Sequence, residues 1–125
     1  MRIDPRELRE IPTNEQGIGA GSVLLPTRVP IVQGGGTSLD FVREQGGDED
    51  TFVFMLGVRL HATPLGPFPV LEGVFLSEEG PGFHPTWDLQ QLLGETARGG
   101  WTVIPTAQVL AGEWVEKIER RMNAS

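Results

Sequence analysis

Cysteine is absent from the 125 residues, and so is tyrosine. The first absence excludes disulfides, thiol nucleophiles and zinc sites built on thiolates. The second excludes phenol acid–base chemistry and tyrosine-rich recognition. Lysine is nearly absent as well, with Lys117 alone against nine arginines. From Leu60 to Ala97 there is neither Lys nor Arg, while Glu72, Glu78, Glu79, Asp88 and Glu95 all lie there. With a formal net charge of −7, the chain is not an ordinary nucleic-acid binder, which needs clustered cations to displace counterions. No apolar run approaches the roughly 20 residues that cross a bilayer. No apolar segment follows the N-terminal charges, so no signal peptide is expected, and a soluble cytoplasmic or virion protein is.

Motifs with chemistry are also scarce. The two histidines, His61 and His84, have no compact ligand spacing, so no metal is expected. No serine sits in Gly-x-Ser-x-Gly, and Asp48-Glu49-Asp50 lacks the alternating acids of a calcium loop. Gly17-Ile18-Gly19-Ala20-Gly21 lacks the strand and helix that flank a dinucleotide fingerprint. Gly34-Gly35-Gly36-Thr37-Ser38 follows an apolar run and offers backbone amides to an anion, but it has no P-loop lysine. No catalytic residue and no cofactor are predicted.

What the sequence does contain is one long strand. In Thr51–Ala62, Phe52, Phe54, Leu56, Val58, Leu60 and Ala62 alternate with a second face that runs from Val53 and Met55 to Arg59 and His61. A period of two over that length marks a β-strand. Thr63-Pro64-Leu65-Gly66-Pro67 then reads as a turn, and Phe68–Leu76 as the returning strand of an antiparallel hairpin. Glu72 and Gly73 suggest a bulge, and Pro69 places the start of that strand on an edge.

Before the hairpin, residues 1–36 read as an arm. Asp4, Pro5 and Glu7 write out a helix start, with Ile3 and Leu8 as its hydrophobic staple. The runs Ser22–Leu25 and Arg28–Val32 are broken by Pro26 and Pro30, which points to edge strands or a segment lying on another surface. Gly34–Gly36 reads as a hinge, and Ser38–Arg43 as a strand or turn leading into an acidic loop. After the hairpin, Thr86 is expected to cap a helix over Trp87–Leu93, with Gly94 just beyond it. Trp101–Ile104 reads as a strand. One final helix from Pro105 and Thr106 carries Leu110, Ala111, Trp114, Val115, Ile118 and Met122 on its apolar side.

The resulting fold class is α+β: a mainly antiparallel sheet packed on one face by a C-terminal helix, with residues 37–125 as a single domain. The expected function is that of a non-enzymatic structural subunit of a homo-oligomer or larger particle, a virion head, connector, tail or decoration protein being one instance. Its partner would be protein, often a second copy, with no direct nucleic-acid or membrane contact. The expected interface residues are Ile3, Leu8, Val23, Leu25, Val29, Ile31 and Trp87. Two other readings fit: an acidic protein-binding module or inhibitor acting through Leu60–Ala97, and a small ligand-binding domain or enzyme using the Gly34–Ser38 loop.

Overall fold

The long alternating strand forms as expected, and the sheet is built outward from it. The computed structural model describes residues 17–31 and 35–124. The expected N-terminal helix, with Ile3 and Leu8, lies outside the described residues, as does Gly34. The strands are β1 (Val23–Pro26), β2 (Phe52–His61), β3 (Phe68–Ser77), β4 (Gly80–Pro81), β5 (Thr86–Asp88) and β6 (Trp101–Ile104). The helices are α1 (Ser38–Glu44), α2 (Leu89–Ala97), α3 (Thr106–Ala111) and α4 (Trp114–Met122). The strand order is β4-β3-β2-β1-β6, with β5 also pairing β3, and every pairing between these strands is antiparallel. This is a mixed α+β fold with a mostly antiparallel sheet and a C-terminal helix.

Both faces of the sheet are covered, not one. Val23, Phe52, Phe54, Val74 and Leu76 pack under Val109 of α3 and Ile118 and Met122 of α4. Leu24, Val53, Met55, Leu71 and Phe75 form the opposite layer with Val42 of α1 and Leu92 of α2. The alternation within β2 feeds the two layers in turn, which is why its first half is apolar on both sides.

The segment read as edge strands or an arm supplies an interior strand. β1 lies between β2 and β6, and Val23 and Leu24 are fully buried. A proline at its end is tolerated because of register. The Met55 amide donates to the Ser22 carbonyl, so alternation points the backbone of Leu24 and Pro26 toward β2 as well. Pairing with β2 stops at Leu24↔Val53, so the N–H that Pro26 lacks has no acceptor to miss.

Helix boundaries differ from expectation where caps compete. Ser38–Glu44 is helical because the Thr37 hydroxyl accepts from the Asp40 amide and turns Leu39 and Val42 inward. Thr86 and Trp87 are strand residues, and Asp88 caps α2 by accepting from the Gln91 amide, which leaves Gly94 inside that helix. The last helix is two helices. Gly112 takes an extended conformation (φ −135°, ψ −159°), so Ala111 and Trp114 do not share one helical stripe. The bulge sits on the facing strand: Met55 pairs Gly73 and Gly57 pairs Glu72, so Leu56 is the extra residue.

The chain before residue 32 and the chain after residue 35 are tied together. Pro30 bridges Thr37, and the Ile31 amide donates to the Gly36 carbonyl at 2.7 Å. This loop docks on the turn before β6. Thr27 donates to the Gly99 carbonyl, Ser38 to the Gly100 carbonyl, and Arg98 to the Ile31 carbonyl. A methyl group on Gly100 would collide with the Ile31 side chain and the Glu95 carbonyl. Gly100→Ala is therefore expected to destabilise the fold by about 1–3 kcal/mol, the usual cost of overpacking. A urea titration measures it, and an unchanged midpoint would mean the loop does not dock there.

Candidate functional site

The β2–β3 pair outruns its neighbours. It stays in register from Phe52↔Leu76 to His61↔Phe68. On one side β1 stops at Phe54, and on the other β5 stops at Val70. The far end is thus a two-stranded ribbon with no further strand on either edge among the described residues. The Gly73 and Phe75 amides donate away from β2, to the Pro85 and Phe83 carbonyls. Alternation then turns the Leu71 and Pro69 backbone outward too. Pro69 lies beyond the end of β5, so its missing N–H falls on an unpaired edge, as the sequence reading placed it. Across the ladder, the same alternation turns the amides of Val58 and Leu60 toward the unpaired edge of β2.

The turn at the ribbon's tip, residues 62–67, is closed by its own hydrogen bonds. The Thr63 and Gly66 amides donate to each other's carbonyls at 3.2 and 2.9 Å. The Thr63 hydroxyl donates to the Gly66 carbonyl at 2.6 Å and accepts from the Leu65 amide at 3.2 Å. Gly66 takes φ +112°, which a side chain at that position would resist. The result is a fixed apolar knob: Leu65 is fully exposed, with Pro64 and Pro67 beside it.

At the opposite end of β3 there is a cleft of about 250 Å³. Its walls are backbone at Gly46, Gly47, Gly80 and Gly82, and its apolar lining is Phe75, Pro81 and Phe83. Phe41, Phe75 and Phe83 meet edge to face, with centroids 5.6–6.3 Å apart. Phe75 is buried, whereas Phe83 is 42% exposed. The aromatic cluster therefore opens to solvent on one side. Glu44, Asp48, Asp50, Glu78 and Glu79 are exposed on the segments around it. Glu49 in the same loop is held by Arg28 and Arg43 at 2.7 and 2.8 Å.

A second cleft, of about 240 Å³, lies at the bulge and is lined by Leu56, Glu72, Gly73, His84, Pro85 and Thr86. His84 is exposed there. Among the described residues no cluster of three His, Asp or Glu could hold a metal ion, and no helix is long and apolar enough to cross a membrane. In the glycine loop, the hydroxyls of Thr37 and Ser38 already serve the fold: Thr37 caps α1, and Ser38 joins the Thr27 amide to the Gly100 carbonyl.

The expected interface residues do not form one patch. Val23 belongs to this chain's own core. Leu25 is half-buried against the layer under α3 and α4. Trp87 packs edge-on to Trp101, centroids 6.0 Å apart, on the other face. Val29 and Ile31 come together over Gly99 and Gly100, and Val29 is 43% exposed. The residues that sequence reasoning passed over are Leu65 and Phe83. Leu65 had a visible signal, an apolar residue in a turn between two prolines, where turn chemistry calls for Gly, Asn or Asp. Comparison with protein-family models, curated proteins and solved structures finds no match.

Proposed function

We propose that the chain is a non-enzymatic assembly subunit, working within a homo-oligomer or a larger particle of the kind built from virion head, connector, tail or decoration proteins. The observation that carries this reading is the β2–β3 ribbon with its exposed Leu65 tip. A two-stranded ribbon standing in water is marginally stable, and unpaired strand edges invite pairing with another chain. A rigid apolar knob at its end costs solvation when free and gives binding energy when covered. In an assembly these three features become useful together.

The test is native mass by light scattering on the full chain, from micromolar to submillimolar concentration. A mass that rises to a multiple of 13.6 kDa is the expected result. A monomer at every concentration would remove the self-assembly reading. The acidic binding module is the second reading, and Glu78 and Glu79, exposed on a segment without any Lys or Arg, favour it. It predicts a monomer whose complex with a basic partner is lost as salt screens the charges.

A further inference from the structure

We propose that the knob and the cleft are the two halves of one interface: Leu65 of one copy enters the Phe75–Phe83 cleft of the next. This rests on the assembly reading above and names its geometry. The two halves sit beyond opposite ends of β3, whose ten residues span about 33 Å, so a chain does not fill its own cleft. The halves are different surfaces, so the contact either propagates head-to-tail into a ring or a filament or closes reciprocally as a two-fold pair with two such contacts.

Size and chemistry match. A cleft of about 250 Å³ is smaller than the roughly 300–1,000 Å³ of small-molecule sites, and it suits one side chain on a turn. Its floor is aromatic, and its walls are glycine backbone, which lets a turn approach closely. The Thr63 hydrogen bonds fix the knob before contact, so little conformational freedom is lost on docking.

Charge matches as well. From Gly57 to Leu71 the sequence has no acid, and Arg59 and His61 stand at ladder positions next to the tip. The segments around the cleft expose Glu44, Asp48, Asp50, Glu78 and Glu79. On a chain of net charge −7, the ribbon is the stretch that can approach that acidic rim without repulsion. Added salt is therefore expected to weaken assembly severalfold without abolishing it.

Three single variants test this, all in the full chain. Leu65 is fully exposed, so Leu65→Asp is expected to leave the fold intact. Gly82→Arg adds bulk and a cation to the cleft. A Cβ there makes an ordinary contact, 3.7 Å from the Phe75 carbonyl, so this variant is also expected to fold. Phe83→Ala is a second cleft variant that removes the aromatic wall. Each is expected to weaken self-assembly by about tenfold or more, as loss of a buried leucine-sized contact does.

Mixing is decisive. Leu65→Asp keeps its cleft and Gly82→Arg keeps its knob, so an equimolar mixture should give a heterodimer and nothing larger. If Leu65→Asp assembles like the parent, or the mixture stays monomeric while the parent assembles, the knob-and-cleft interface is wrong and the assembly reading survives. If the parent itself is monomeric throughout, both fall.

Discussion

A chain shortened to begin at Thr37 shows no cooperative unfolding transition: it is expected to be unfolded from the start. The cut removes β1, which is the strand between β2 and β6, so the sheet loses its middle rather than an appendage. It exposes the faces against which Ile18, Val23 and Leu24 are buried. Burying side chains of that size contributes about 1.5–3 kcal/mol each, so the three are worth about 5–9 kcal/mol. It also breaks the paired bonds of Gly21 and Ser22 with Met55, at 2.8 and 2.9 Å, and leaves Thr106, whose hydroxyl donates to the Ala20 carbonyl, without its partner. A domain is stable by only about 5–15 kcal/mol in all, so the loss is comparable to the whole. Circular dichroism through a thermal or urea ramp reads the outcome directly. A sigmoidal transition in the shortened chain would show that β2 to α4 fold without β1, and that the leading segment is an arm after all.

That prediction turns on the part of the fold that the sequence hid. β2 was legible because its alternation continues for a whole strand, and β3 because it mirrors β2 across a proline and glycine turn. β1 was not, because a strand of four residues ending in proline carries the marks of an edge. What rescues it is register: Pro26 lies two residues past Leu24, the last residue paired with β2. Register is a property of the sheet, and no local pattern shows it. The bulge was half legible. Glu72 and Gly73 mark the place, but the extra residue is Leu56, which is apolar and so blends into the alternating run. The helices were misjudged for a related reason. Thr37, Asp88 and Gly112 are each a cap or break that the sequence does contain, but Thr86 offered a competing start just before Asp88, and the apolar spacing that begins at Pro105 and Thr106 runs on across Gly112. The candidate site followed the same division. Leu65 and its turn can be read from sequence alone, whereas the cleft needs Phe41, Phe75 and Phe83 brought together from three segments.

Replacing Arg121 with methionine is expected to cost about 2–3 kcal/mol, and the sign is the informative part. In the sequence Arg121 looked like Arg120, a cation at the end of a helix where it complements the dipole. In the structure Arg120 is exposed, while Arg121 is only 3% exposed. Its Nη1 donates to the Asp50 carbonyl at 2.6 Å and the Leu76 carbonyl at 3.0 Å, and its guanidinium lies 5.1 Å over the Phe52 ring. It thereby pins α4 to the start of β2 and the end of β3. Its Nε has no hydrogen-bond partner among the described residues. Two effects oppose each other. Methionine of similar length fills the space and removes a buried cation that is costly to desolvate. It also leaves the buried Leu76 carbonyl and the part-buried Asp50 carbonyl short of a donor, at about 1–3 kcal/mol for the buried one and less for the other. The carbonyl term wins if both bonds are made in solution, and Tm then falls by about 10 °C for a domain of this size. Arg121→Lys separates the parts: one ammonium keeps the charge and a single donor centre, but loses the planar stacking on Phe52. A lysine variant as weak as methionine would place the stability in the guanidinium's shape. A methionine variant more stable than the parent would mean that the buried charge outweighs the bonds it makes, and that α4 is held by the packing of Trp114, Ile118 and Met122.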